Sequence, residues 1–239
     1  LEVCRARNTP IVTFINKMDR EVKPPMELMD EIETALGIEV VPFTWPVGMG
    51  KSFAGVIDIA NSRMRMFKAG EDRVTEDSHT VVDINDPALK ERLGADLDNA
   101  LAEVELIKEA MPAFDLEAFL AGRQSPVFFG SAINNFGVRE ILNTLVELAP
   151  SPGSRKALQR EVSPAENKFS AVVFKIQANM DPAHRDRVAF LRICSGHFQR
   201  GMKLKICRNG KEVRTNNALS FLSQRRDILD EAFPGDIIG

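Results

Sequence analysis

A chain of 239 residues with 44% hydrophobic and 27% charged content holds enough apolar material for one large domain or two smaller ones, which excludes a wholly disordered chain. A net charge of −3 and a pI near 5.8 argue against a general nucleic-acid coat, and no DNA partner is expected. The charge is uneven, however: residues 181–226 hold 11 Lys/Arg against 3 Asp/Glu, so a basic surface is expected only in the C-terminal third.

Cys4, Cys194 and Cys207 are far apart with no histidine at metal-ligand spacing, so neither a zinc site nor a disulfide framework is predicted and a cytoplasmic setting fits. No apolar run approaches the length of a membrane span, and no membrane partner is expected. Leu1 stands where a native chain would carry Met, and the sequence reads as a piece of a longer one.

In chain order, "TPIVTFIN" (9–16) is a short β-branched and aromatic run that predicts a buried parallel strand. "PMELMDEIETAL" (25–36) has helical spacing, with Pro25 suited to a first turn and Gly37 to a stop. From Val40 to about Arg73, "VVPFTWPVG", "FAGVIDIA" and "RMRMF" predict short strands. Asp86-Pro87 then opens one long amphipathic helix to about Ala110, with Leu89, Leu93, Leu97, Leu101 and Val104 near one face. "LEAFLAG" adds helix, "SPVFFGSA" (125–132) a second buried strand, and "GVREILNTLVELAP" (137–150) a helix stopped by Pro150. Strands alternating with helices predict an α/β layer on a parallel sheet.

The stretch from 151 to 167 is rich in Pro, Ser and charge and reads as a linker. Beyond it strand-like runs alternate with turns, including Asn209-Gly210, which predicts a barrel or sandwich.

Two loops carry the chemistry. Asn16-Lys17-Met18-Asp19 follows the first strand at its carboxyl end, where open α/β sheets bind ligands. An aspartate there can accept from guanine N1–H and the exocyclic amine, a donor pair that adenine lacks, so adenine would leave the carboxylate unpaired. Asn16 can brace the loop and meet the Hoogsteen edge, and the Lys17 stem can lie against the base. Gly130-Ser131-Ala132 follows the second buried strand, and the Ala132 N–H could bond guanine O6. A third stretch, "WPVGMGKSF" (45–53), ends like a phosphate-binding P-loop but has Trp45 where the first glycine is required, so Lys51 and Ser52 are read as surface-turn residues. His79, His184 and His197 are isolated and are expected in solvent or hydrogen-bonded positions, and the Met-rich "RMRMF" as core or strand edge.

"FINKMDR" followed much later by "GSA" resembles the guanine-specificity loops of translational GTPases. "WPVGMGKSFAGV", "FLAG", "PVFFGSAINNFGV", "FKIQANMDPAHRDRVAFLRICSG" and "PGDIIG" are similar to the bacterial class II peptide chain release factors over essentially the whole chain. Elongation factor G is similar in its long insert and following barrel but lacks a counterpart of "QANMDPAHRDR". The resemblance implies an α/β partial GTPase domain of P-loop type at 1–150 with an α+β insert at about 40–124, then, after the linker, an incomplete antiparallel β-barrel domain at 168–239.

The resemblance also implies a cytoplasmic, ribosome-dependent GTPase of translation termination that promotes departure and recycling of class I release factors. Its ligands would be GTP and GDP with Mg2+, and its partners the ribosome, ribosomal RNA and class I factors. Guanine contacts carry over to Asn16, Lys17, Asp19, Ser131 and Ala132. The family's P-loop, switch I threonine and D-x-x-G segment have no counterpart in these 239 residues, so no catalytic residue or metal ligand is assigned and the chain alone is expected to be inactive. The basic balance around "MDPAHRDR" suggests His184, Arg185 and Arg187 as contacts to ribosomal RNA phosphates. Two alternatives stay open: a piece of an elongation-factor-G-like translocase, and a non-catalytic ribosome-binding module.

Overall fold

The computed structural model describes residues 1–67, 81–178, 187–216, 218–222 and 225–239. The chain divides into two compact units, Leu1–Ala149 and Pro150–Gly239.

The first unit runs α1 (Glu2–Ala6), β1 (Thr13–Ile15), α2 (Pro25–Leu36), β2 (Glu39–Pro42), β3 (Thr44–Val47), β4 (Gly55–Asp58), β5 (Arg63–Met66), β6 (Val81–Asp83), α3 (Pro87–Leu93), α4 (Ala95–Ala110), α5 (Leu116–Leu120), β7 (Gln124–Phe129) and α6 (Val138–Leu148). β1, β7 and β2 form a parallel sheet with β7 in the middle, registering Phe14 on Phe128 and Val41 on Pro126. A central parallel strand is covered on both faces, and all six β7 residues are buried. Its buried polar groups are satisfied: Gln124 Oε1 accepts from Asp115 N–H at 2.8 Å, and the Ser125 and Thr13 hydroxyls meet at 2.8 Å.

β3 to β6 form a separate antiparallel sheet, in chain order. β2 pairs with β7 in the parallel sheet, and the antiparallel layer starts at Thr44. Trp45 is fully buried, with its ring edge-on to Phe129 at 5.4 Å and its indole N–H donated to Glu103 Oε2 at 2.7 Å. The residue standing at the missing P-loop glycine is thus a core anchor. Met64 and Met66 point inward from β5, and the same core takes Leu97, Val104 and Ile107 from α4. Arg65 of β5 is in ion-pair contact with Glu140 of α6.

One element differs from expectation. The helix expected from Asp86 to Ala110 is two helices, because Gly94 sits at φ 52°, ψ −124°, a conformation that ends α3 and that side-chain-bearing residues avoid. Asp86 caps α3 through Ala88 N–H, while α2 ends on Gly37 in the left-handed region.

The second unit contains β8 (Arg155–Lys156), β9 (Glu161–Val162), β10 (Ser170–Ala178), β11 (Arg187–Ser195), β12 (Phe198–Gln199), β13 (Lys203–Lys205), β14 (Glu212–Arg214), β15 (Leu219–Leu222), β16 (Arg225–Ile228), β17 (Glu231–Ala232) and β18 (Ile237–Ile238). Its described strand pairs are all antiparallel, the longest being β10 with β11, whose other edge takes β18. Ile193, Phe198, Ala232 and Ile238 centre its core. The expected linker carries the small β8–β9 pair and a turn where the Arg160 guanidinium, and then Ser163 N–H, hold the Glu166 carboxyl below its ordinary range.

Replacing Trp45 by Ala is expected to cost about 3–5 kcal/mol by emptying a core site. Trp45→Phe, which loses mainly the Glu103 bond, should cost less. Denaturant unfolding followed by circular dichroism checks both, and equal costs would contradict the packing role.

Candidate guanine-binding site

β1 and β7 are neighbours and parallel, so the loops leaving their carboxyl ends emerge side by side. The first loop holds Asn16 to Asp19 and the second Ser131 and Ala132. Backbone contacts join them: Gly130 N–H donates to Ile15 O at 3.0 Å, and Met18 N–H donates to Gly130 O at 3.0 Å. The sheet's ladder therefore continues into both loops.

Asn16 is exposed, and its side chain ties the loops together. Its Oδ1 accepts from Lys17 N–H and from Ala132 N–H, both at 2.8 Å. With the carboxamide oxygen doubly engaged, the amide nitrogen is the group left to donate outward. Lys17 is exposed and occupies the left-handed region at φ 70°. A non-glycine residue stays there only when its surroundings fix it, and here the Lys17 N–H is held by Asn16 while its C=O accepts from Arg20 N–H at 3.0 Å. Asp19 is half-buried, and its Oδ1 is shut off from solvent with no hydrogen-bond partner. A buried carboxylate oxygen without a donor is costly, and a ligand N–H is one remedy.

The second loop is a closed mini-hairpin in which Ser131 and Phe136 exchange both backbone bonds at 3.0 Å. Ser131 is fully buried and its hydroxyl accepts from Asn134 Nδ2 at 2.7 Å, so the side chain braces the loop. Ala132 is exposed. The sequence reading gives its N–H to guanine O6, whereas here it goes to Asn16 Oδ1, the carboxamide acceptor lying beside it.

Three glycines matter that side-chain chemistry did not point to. A Cβ on Gly130 would lie 2.3 Å from Phe136 O, and one on Gly137, at φ 79°, would lie 2.6 Å from Phe129 O. These two glycines let the second loop fold onto the strand it leaves, and their recurrence in "GSAINNFG" is the sequence signal for it. The third, Gly50, donates its N–H to Met18 O at 2.9 Å. No sequence rule pairs those residues.

The other candidates fall elsewhere. β3 and β4 pair antiparallel, so Gly48 to Ser52 form a hairpin loop with a 3-10 turn and not the strand–loop–helix of a P-loop. His197 meets Glu231 Oε2 at 3.1 Å and stacks on Phe233. His79, His184 and Arg185 lie outside the described residues, and Arg187 is exposed at the start of β11. Among the described residues no group of three or more His, Cys, Asp and Glu side chains is placed to hold a metal ion. Among the described residues no helix is long and apolar enough to cross a membrane. A cavity of about 640 Å3 opens between Phe43, Phe114 and Phe128 and the Arg65–Glu140 pair, but none of the five base-loop residues lines it.

Comparison with known proteins agrees with the fold. Residues 1–151 match the family "Elongation factor Tu GTP binding domain" and residues 168–239 match "Elongation factor G domain 2". The chain is 65% identical to peptide chain release factor 3 of Nitrosomonas europaea and 64% identical to that of Bordetella avium, matching 100% of this chain and 45% of each relative. The chain thus spans less than half the length of these curated relatives. A solved protein of Thermus thermophilus aligns at TM-score 0.67 over 99% of this chain and 35% of its own, and at 20% identity that likeness speaks for the fold alone. With two loops side by side at the edge of a parallel sheet and an antiparallel, β-barrel-like second unit, the chain belongs to the family of the elongation factor Tu GTP-binding domain, followed here by an elongation factor G domain 2.

Proposed function

We propose that this chain is the guanine-reading and barrel-bearing portion of a ribosome-dependent GTPase of translation termination, acting in the cytoplasm to promote release and recycling of class I release factors. The names of the relatives at 64–65% identity support the termination reading over a translocase. The single observation behind the nucleotide reading is the Asn16 carboxamide, which joins the two loops through Lys17 and Ala132 while Asp19 Oδ1 waits without a donor.

In this reading the Asp19 carboxylate accepts from guanine N1–H and the 2-amino group. Asn16 donates its remaining amide N–H to the O6/N7 edge, and the Ala132 N–H is shared between Asn16 Oδ1 and O6. The Lys17 stem covers the base, and Ser131 keeps the second loop in shape. Adenine has no N1–H and presents an amine at position 6, so it would leave the carboxylate unpaired and set donor against donor. Segment 40–124 is the insert between the two guanine loops.

The basic balance of residues 181–226 supports a contact between the barrel unit and ribosomal RNA, for which His184, Arg185 and Arg187 are the proposed residues. Phosphate contact needs cations and little base recognition.

Xanthine carries an oxygen where guanine has the 2-amino group, so Asp19→Asn in the full-length protein should move preference from guanine to xanthine nucleotides. Nucleotide-competition binding checks this, and unaltered guanine preference would remove Asp19 from the site. The isolated 239-residue chain should show no GTP turnover above buffer, since catalysis needs groups around the γ-phosphate. Arg187→Glu should weaken ribosome binding and flatten its salt dependence by about one unit of log–log slope; co-sedimentation across a salt series reads it, and an unchanged slope would argue against RNA contact.

A further inference from the structure

The hairpin loop between β3 and β4 touches the base-reading loop and does so through backbone. It is tightly folded: Gly48 has φ 71°, a Cβ there would lie 2.3 Å from Ser52 O, and the Ser52 hydroxyl meets Met49 O at 3.0 Å and Met49 N at 3.3 Å. Half-buried Met49 packs against the core of the first unit. This fold carries Gly50 N–H to Met18 O at 2.9 Å. Gly50 itself sits at φ 59°, and a Cβ on it would come 2.3 Å from Glu21 Oε1 and 3.3 Å from Glu21 N. The hairpin therefore meets the 16–21 loop at its middle and again at its exit.

Met18 is the position between Lys17 and Asp19 whose side chain is fully buried. Its N–H belongs to the peptide plane shared with Lys17, and its C=O to the plane shared with Asp19. Each plane is rigid, so a hydrogen bond at its N–H or C=O restrains the tilt of the whole plane and with it the position of the next Cα, leaving φ of that residue to complete the direction of its Cα–Cβ bond. The first plane is held by Gly130 O and the second by Gly50 N–H.

We infer that Gly50 is a positioning residue for guanine recognition: through its N–H on Met18 O it sets the direction of the Asp19 carboxylate, so base specificity is tuned from the β3–β4 hairpin as well as from the loops that meet the base. The inference rests on the proposed guanine-reading role of Asp19 and adds a residue that touches no nucleotide. A side chain at Gly50 would strain a left-handed backbone, displace Glu21 and lift the N–H from Met18.

The test uses the full-length protein and displacement of a fluorescent GDP analogue by GDP, by ADP and by inosine diphosphate, which lacks only the 2-amino group. Gly50→Ala is expected to weaken GDP roughly tenfold and to bring the GDP-to-inosine-diphosphate preference towards unity. Gly122→Ala is the control, since Gly122 has a comparable φ of 70°, nothing lies within 4 Å of an added Cβ, and it precedes the amino end of β7. It should lower thermal stability and leave the preference unchanged. The single variant Glu21→Ala, which removes that side chain and leaves the Gly50 N–H in place, should keep both affinity and preference; a loss equal to that of Gly50→Ala would mean that displacement of Glu21, and not the Met18 bond, was responsible, and would overturn the inference. Should Gly50→Ala fold poorly, Ser52→Ala, which removes the side chain closing the hairpin loop, is expected to reduce the preference as well. A wild-type protein that binds ADP as well as GDP refutes the guanine reading itself. A wild-type preference for GDP that persists undiminished in Gly50→Ala and Ser52→Ala refutes only the role of Gly50.

Discussion

Both peptide groups of Met18 are hydrogen-bonded to other segments of the first unit, and the geometry of the candidate site follows from that clamp. Gly130 O holds one and Gly50 N–H the other, while the buried side chain pins the residue between them. With Met18 fixed, Lys17 is held in a left-handed conformation that it would not adopt freely, and Asn16 and Asp19 leave the loop in set directions. The clamp also depends on two sheets at once, because Gly130 ends the central parallel strand and Gly50 sits in an antiparallel hairpin.

The two sheets are joined through one core. Trp45 of β3 lies edge-on to Phe129 of β7, and the Thr44 hydroxyl accepts Phe129 N–H at 3.0 Å where the parallel ladder ends. Arg65 of β5 meets Glu140 of α6, the helix that follows the second loop. These contacts bind the β3–β6 layer to the strand that presents Ser131 and Ala132, so packing and backbone bonds couple the layer to the site.

Much of this was legible in the sequence because local physics fixed it. Pro25 and Gly37 bracket α2 as start and stop, the apolar run 125–129 is a strand covered on both faces, and Asn16 to Asp19 fall where strand and loop must meet. Gly94 was not legible as a break: the leucine spacing continues through it, and an isolated glycine in such a pattern is often tolerated. The partner of Ala132 N–H was hidden too, since two loops 116 residues apart compete for the same acceptor. The Gly50–Met18 bond left the weakest trace, because every residue but proline carries an N–H and only the need for positive φ hints at it. What failed to show was long-range backbone pairing, which leaves little mark on side-chain composition.

The central claim, that the loops after β1 and β7 grip a guanine base, is tested most directly by a crystal structure of the full-length protein with GDP. The account predicts the Asp19 carboxylate within hydrogen-bonding distance of guanine N1 and N2, with Asn16 and Ala132 facing the O6/N7 edge. A guanine bound away from these loops, or an Asp19 carboxylate turned from the base, would contradict it.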